Sequence, residues 1–348
     1  MASFLIRADA SLKIGVGHIY RTKQLATALL NEGHSITYAH SRVAGNLEKF
    51  LKESGFEVLP LPAIDHCVNR NEREHLDLIN LIAATRGRRF DWAIVDHYDL
   101  GTAWENGIRQ VAPKIMVIDD LVRTQHCCDL LLDQNLDRNA AHYQLPKLSR
   151  FLGGPGFALL DPTYNHYRER VSKGKPVKKP KVMVSTGGSD PEGLTPLITS
   201  MLLEHFRVQI DQLMIVLGPN SQCQDEVLEL IKPHRENVTV LNNTSAMPKL
   251  LLDVDLVIGC AGSSCWERAC LGTAMILFAI SQNQQMILES LNRKGLARLA
   301  SVSTLRQVLH ETIQFLGSEN RGSLTNRLMQ TCDGLGVKRV SKALAEEV

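Results

Sequence analysis

The stretch LVIGCAGSSCWERACLGTAMILFA, residues 256–279, reads as a strand, a loop of small residues, a helix and a second strand. Strands of a parallel sheet are buried on both faces, so they appear as short continuous apolar runs rather than as alternating ones. Two such runs joined by one helical segment form a βαβ crossover. Working outward, the same alternation predicts strands at 4–8, 35–39, 56–59, 92–95, 115–118 and 130–132 in the first half of the chain. In the second half it predicts 181–185, 212–217, 238–241, 256–259 and 275–279. The expected class is α/β, with two parallel sheets of five or six strands.

A chain of 348 residues exceeds what one hydrophobic core usually serves. The Lys-, Pro- and Gly-rich segment KGKPVKKPK (173–181) has no apolar period and suits an exposed linker, although a basic patch for phosphate is the competing reading. The expected division is therefore 1–172, a linker at 173–181, and 182–348. Lys plus Arg number 39 against 37 Asp plus Glu, a net charge of +2. That balance supplies no global field toward nucleic acid or an anionic membrane, so an anionic ligand has to be held locally. Eight cysteines form no CxxC pair and read as buried thiols in a reducing compartment. The N-terminus lacks the features of a signal peptide, and no apolar run approaches the ~18 residues that span a bilayer. The expected location is the cytoplasm, with no membrane or nucleic-acid partner.

Several first-half strands run into acidic or polar clusters: Arg7-Ala8-Asp9, Asp96-His97-Tyr98, Asp119-Asp120 and Asp133-Gln134-Asn135. Ligands of open parallel sheets bind outside the carboxyl ends of the strands, so these clusters mark a working edge. Gly15-Val16-Gly17-His18 follows the first strand and opens a helix, which places His18 in its first turn. A dinucleotide fingerprint needs Gly or Ala where Tyr20 stands and a tighter loop than residues 9–15, so no nicotinamide cofactor is expected. His18 reads either as a general base, which requires neutral imidazole, or as an exposed histidine at a helix start.

Three loops of the second half follow strands. In Ser185-Thr186-Gly187-Gly188-Ser189-Asp190-Pro191 the paired glycines offer amides to a diphosphate, or Ser189 or Asp190 caps a helix with Pro191 at its first position. Gly262-Ser263-Ser264 opens the helix of the first-quoted stretch and suits an anion, while Ser264 and Glu267 also have capping-box spacing. A ribose diol is the other candidate partner for Glu267. Ser281-Gln282-Asn283-Gln284-Gln285 offers amides to sugar hydroxyls and acetamido groups, or is one more helix start. Two acidic pairs are weaker metal candidates. Asp253-Val254-Asp255 sits at the wrong edge of the sheet, and Asp119-Asp120 has no histidine or third carboxylate at ligand spacing, so no metal is expected.

Taken in order, RADASLKIGVGHIYRTKQLA, VDHYDLG, IDDLVRTQHCCDLLLDQN, VSTGGSDPEGLT and IGCAGSSCWERACLGTAMILFAISQNQ resemble the hydrolase family of pseudaminic acid biosynthesis that removes UDP from UDP-2,4-diacetamido-2,4,6-trideoxy-beta-L-altropyranose. The resemblance runs from about residue 3 to about residue 300. It implies two Rossmann-like domains of glycosyltransferase B type facing each other across a cleft, with UDP on the C-terminal one. It further implies His18 as the base that activates water; Gly17 beside it is expected to contact the substrate, since a glycine lets the backbone approach a ligand closely. Glu267 would contact the nucleotide, Ser263 and Ser264 the diphosphate, and Tyr98 and Asn283 the sugar; Gly187 and Gly188 join the diphosphate contacts on the reading of their own loop. The partners are then a UDP-linked diacetamido sugar and water, with no cofactor. An inverting UDP-sugar glycosyltransferase of the same fold, or a non-catalytic sugar-nucleotide binder, are the alternative classes. One segment departs from the family: in 151–167 (FLGGPGFALLDPTYNHY) Asp161 stands where an arginine is usual, and no site residue is assigned there.

Overall fold

The computed structural model describes residues 1–346 apart from 66, 124 and 173, with backbone only at 235, 282 and 283. The chain divides into two compact units, Met1–Leu159 with Leu335–Val348, and Leu160–Gly334. Unit 1 runs β1 (Ser3–Ala8), α1 (Gly17–Asn31), β2 (Ser35–Ser41), α2 (Glu48–Glu53), β3 (Glu57–Leu61), α3 (Arg70–Thr85), β4 (Trp92–Asp96), α4 (Thr102–Ile108), β5 (Lys114–Ile118), β6 (Leu130–Asp133) and β7 (Arg150–Gly153). Unit 2 opens with α5 (Thr163–Arg168), β8 (Lys181–Ser185), α6 (Leu194–Met201), β9 (Gln212–Leu217), α7 (Gln224–Ile231), β10 (Val238–Asn242), α8 (Met247–Asp253) and β11 (Leu256–Cys260). It continues through α9 (Ser264–Cys270), β12 (Ala274–Phe278), α10 (Gln282–Arg293), β13 (Arg298–Leu299), α11 (Leu305–Leu316) and α12 (Arg321–Thr331). The last helix, α13 (Gly336–Ala345), belongs to unit 1.

Both sheets are parallel throughout, ordered β3-β2-β1-β4-β5-β6-β7 and β10-β9-β8-β11-β12-β13. These are two Rossmann-like sheets, each with the strand order reversing after its first strand, so the switch points lie between β1 and β4 and between β8 and β11. Strand interiors such as Phe4, Leu5 and Ile6, or Val257 and Ile258, are wholly buried. At the second switch point the strands approach closely: a Cβ on Gly259 would stand 1.8 Å from the Ser185 carbonyl oxygen, which leaves glycine as the residue that fits.

The observed units divide elsewhere than at 173–181. Lys181 already belongs to β8, and the preceding segment is tied to unit 2 by Val177 N–H to the Leu316 carbonyl (2.9 Å) and by Arg321 Nη1 to the Lys175 carbonyl (3.0 Å). The chain passes from one unit to the other at Leu159/Leu160, and α13 returns to unit 1. There Val337, Val340, Ala343 and Leu344 pack into the core with Phe4, Ile19 and Leu25. A helix's apolar face identifies a core it needs, not which of two similar sheets provides it. All eight cysteines are free; Cys128, Cys260, Cys265, Cys270 and Cys332 are buried, but Cys67 is exposed, against the expectation for it. Among the described residues no helix is long and apolar enough to cross a membrane.

Candidate active site

At the switch point of unit 1, α1 starts just beyond the carboxyl end of β1 and carries His18 toward the end of β4. The imidazole Nδ1 lies 2.6 Å from Asp96 Oδ1. Arg21, one turn along α1, grips the same carboxylate from the other side, Nε to Oδ2 and Nη2 to Oδ1 at 2.6 Å each, and extends Nη1 to Asp120 Oδ2 at 2.8 Å. All four side chains are buried. Burial opposes ionisation of Asp96, yet Arg21 and His18 outweigh it and hold the carboxyl well below the usual range. An ionised Asp96 only accepts hydrogen bonds, so Nδ1 carries a proton, and in the neutral imidazole the lone pair is then on Nε2. Tyr98, two residues past β4, sets its ring edge-on to His18 with centroids 4.6 Å apart. Its phenol is pushed up by burial and by the neighbouring Asp120.

A second buried network lies alongside. Arg7 is bidentate to Asp9 (2.6 and 2.8 Å) and also bonds Asp77 through Nε (3.1 Å to Oδ2), whose other oxygen takes the Trp104 indole N–H at 2.9 Å. His97 accepts the Asp99 amide at Nδ1, which turns its Nε2–H toward Asp9 at 3.3 Å. Both networks face a cavity of about 270 Å³ within unit 1, whose lining includes Asp9, His18, Asp96, His97 and Tyr98, with Ile14 and Val43 among its apolar residues. The loop at 9–15, too long for a dinucleotide turn, folds into a small hairpin closed by Ser11 and Gly15, where Gly15 takes φ +79°. Gly17 begins α1 without a side-chain cap.

In unit 2 the Gly187-Gly188 and Gly262-Ser263-Ser264 loops leave the ends of β8 and β11, the two strands flanking the switch point. The expected cap is placed differently. The helix after Gly188 begins at Leu194 rather than at Pro191, and the Asp190 carboxylate takes the amides of Leu194 (3.0 Å) and Thr195 (2.8 Å). What remains for an anion there is the glycine loop itself, with Gly187 at φ +117°. No side chain caps α9, so the capping box of Ser264 and Glu267 does not form. Glu267 instead accepts a hydrogen bond from the Tyr164 phenol at 2.8 Å. Burial pushes its carboxyl up, with Tyr164 and Arg268 opposing. Tyr164 sits on α5, in the 151–167 segment to which the sequence assigns no site residue, and Asp161 accepts the Thr163 amide at the start of that helix (2.9 Å).

Asn283 lies on α10, but its side chain is outside the described residues. The neighbouring Gln284 accepts the Ile280 amide at 3.1 Å, as at a helix start. Asp255 serves the framework, bonding the Lys181 amide and Arg321. At Asp119 folding corrects the sequence reading, which sees no histidine beside it. His126 comes to 3.0 Å of Asp119 through Nε2 and 2.7 Å of Glu105 through Nδ1, which occupies both ring nitrogens. Among the described residues no group of three His, Cys, Asp or Glu is arranged to hold a metal ion.

Sequence reading brings out His18, Tyr98 and the strand-end acids but misses Arg21, whose only signal is its position one turn after His18. It also misses Arg268, buried on α9.

No family model matches the chain. It is 24% identical over 294 residues to the UDP-2,4-diacetamido-2,4,6-trideoxy-beta-L-altropyranose hydrolase of Campylobacter jejuni, covering 84% of this chain and 96% of that one. It is 22% identical to the spore coat polysaccharide biosynthesis protein SpsG of Bacillus subtilis, over 98% of this chain and 97% of that one. An uncharacterised protein of Methanocaldococcus jannaschii is 23% identical over 80% of this chain, which spans 56% of that longer protein. Among solved structures, MurG of Acinetobacter baumannii superposes with a TM-score of 0.68 at 14% identity, covering 99% of this chain and 100% of that one. The spinosyn rhamnosyltransferase SpnG, in complex with thymidine diphosphate, gives 0.64 at 11% identity, covering 98% and 100%. The chain therefore has the two-Rossmann-domain fold of glycosyltransferase B type and is similar in sequence to a UDP-sugar hydrolase.

Proposed function

We propose that the chain hydrolyses UDP-2,4-diacetamido-2,4,6-trideoxy-beta-L-altropyranose, releasing UDP with inversion at the anomeric carbon. The observation that carries the reading is the His18–Asp96 pair, with Nδ1 on the carboxylate and the imidazole lining the cavity. The oxygen of a water molecule attacks the anomeric carbon while Nε2 takes its proton. The bond from that carbon to the diphosphate oxygen breaks, and its electron pair leaves with UDP. Asp96 stabilises the imidazolium so formed, as the buried acid does in serine-protease triads. A general base of this kind contributes about 10²- to 10⁴-fold. The leaving diphosphate is a weak base, so it needs charge stabilisation rather than an acid; amides of the Gly187-Gly188 and Ser263-Ser264 loops are assigned to it, and Glu267 to the ribose. One base with direct attack by water gives inversion. No step is assigned to a metal. Similarity to the Campylobacter hydrolase supports the substrate class.

The test is an NMR time course on the UDP-sugar, which reports cleavage and anomeric configuration together. His18→Asn is expected to lower UDP release at least about 100-fold while substrate still binds; turnover near the wild-type rate would overturn the assignment. UDP release by the wild type with no acceptor present separates hydrolysis from glycosyl transfer.

A further inference from the structure

We infer that Arg268 is the positioning residue that matches the charge of the diphosphate, a role that rests on the nucleotide reading above. Buried arginines are ordinarily paired, because an uncompensated guanidinium out of water is strongly unfavourable. This protein follows that rule at its other three buried arginines among the described residues. Arg7 faces Asp9 and Asp77, Arg21 faces Asp96 and Asp120, and Arg321 faces Asp255. Arg268, 3% exposed, breaks it. Among the described residues no carboxylate lies within ion-pair distance, and the adjacent Glu267 turns to Tyr164. Its recorded hydrogen bonds go to two carbonyl oxygens, Ser185 at 3.2 Å and Cys260 at 3.4 Å, both long for N–H to oxygen.

Those carbonyls place the guanidinium at the switch point of unit 2. Ser185 and Cys260 are the last residues of β8 and β11, the strands on either side of the switch point. The residues that follow them are the two loops assigned to the diphosphate. The guanidinium is therefore held against the bases of both loops, with donors to spare. Gly259 belongs to the same arrangement: a Cβ there would lie 3.3 Å from Arg268 Nη2 as well as on the Ser185 carbonyl, so glycine keeps the space in which the guanidinium sits. Arg268 acts by its field and by fixing the spacing of the two strand ends. The charge it meets is that of a nucleoside diphosphate, which neither a nucleoside nor a neutral sugar supplies.

The experiment measures UDP and uridine affinities by calorimetry for the wild type, Arg268→Gln and Arg268→Lys. Glutamine keeps a donor for the carbonyls and removes the charge, whereas lysine keeps the charge. Arg268→Gln is expected to weaken UDP about ten- to a hundredfold with little change for uridine. Arg268→Lys is expected to retain most of the preference for UDP. If glutamine weakens UDP and uridine equally, or neither, or if lysine loses the preference as fully as glutamine does, the inference is overturned. Should Arg268→Gln fail to fold, the lysine variant decides alone by whether the UDP-to-uridine ratio persists. Failure of the wild type to bind UDP would instead overturn the nucleotide reading, and this inference with it.

Discussion

Asp96→Asn tests the proposed chemistry at its support rather than at its base. The carboxylate accepts three charge-assisted hydrogen bonds of 2.6 Å, one from His18 and two from Arg21. Asparagine keeps the shape but offers one oxygen and an NH₂ group. That group donates toward His18 or toward Arg21, and in the first case Nδ1 has to accept, which moves the imidazole proton to Nε2 and removes the base. Loss through the wrong tautomer cannot exceed what the base contributes, so kcat is expected to fall by roughly 10²- to 10⁴-fold. Stability falls as well. Breaking a buried pair by removing one partner costs about 3 to 5 kcal/mol, and because Arg21 keeps Asp120 at 2.8 Å the lower end applies, about 3 kcal/mol. The assay is UDP release on the UDP-sugar at a temperature where circular dichroism shows the variant folded, with UDP affinity measured in parallel. UDP affinity is expected to stay put, since Asp96 belongs to unit 1 and the loops assigned above to the nucleotide belong to unit 2. The combined variant Asp96→Asn with His18→Asn should be no slower than His18→Asn alone, because Asp96 acts through the histidine. Turnover of Asp96→Asn within threefold of wild type, or additive losses in the double variant, would refute the dyad.

Two further outcomes concern the framework. Burial disfavours the His126 imidazolium, but Asp119 and Glu105 outweigh it and raise its pKa above the ordinary value. A raised folded-state pKa contributes stability that is full below about 6.5 and is lost as pH climbs through the folded value. Chemical denaturation should accordingly show His126→Gln several kcal/mol less stable than wild type at pH 6, with the gap narrowing by pH 9; a gap that holds constant or widens would count against the clamped imidazolium. Gly259→Ala places a methyl 1.8 Å from the Ser185 carbonyl oxygen, so β8 and β11 must part. Overpacking typically costs about 1 to 3 kcal/mol, and contact with backbone sets this at or beyond the upper end. Thermal unfolding indistinguishable from wild type would contradict the close approach.

The strands were legible because burial on both faces leaves an unbroken apolar run: residues 181–185 and 212–217 match β8 and β9 to the residue. The two that escaped, β7 and β13, are edge strands. Arg150 is exposed in β7, and both residues of the two-residue β13 are exposed, so neither carries the buried run that betrays its neighbours. The boundary between units escaped for another reason. An exposed-looking Lys and Pro composition at 173–181 reports solvation, not where contacts divide, and α13 is an ordinary amphipathic helix until one knows which core it fills. Of the strand-end acids, Asp9 follows β1 and Asp96 closes β4, the two strands that flank the switch point of unit 1. Their partners could not be read, because the 75 residues separating Arg21 from Asp96, like the 70 separating Arg7 from Asp77, are spanned only in three dimensions. Tyr164 lies on α5, within residues 151–167, where the sequence assigns no site residue.

The two units hold charge in opposite ways, and their proposed tasks explain the contrast. In unit 1 the buried cations Arg7 and Arg21 each have two carboxylates, so the network is internally compensated, and the proposed chemistry falls to the Nε2 of His18. A base needs that arrangement: its geometry must be fixed before the substrate arrives, and its proton must have one place to go. Unit 2 places glycines, the uncapped start of α9 and a guanidinium without an ion pair at its switch point, the arrangement proposed above to receive an anion. The near-neutral overall charge is compatible with this proposed division. A diphosphate met by a buried cation and backbone dipoles needs no basic surface, and the low dielectric around Arg268 makes one charge there worth more than several in water. Adding surface lysines should therefore leave UDP affinity almost unchanged at physiological salt, whereas removing the single charge of Arg268 should not.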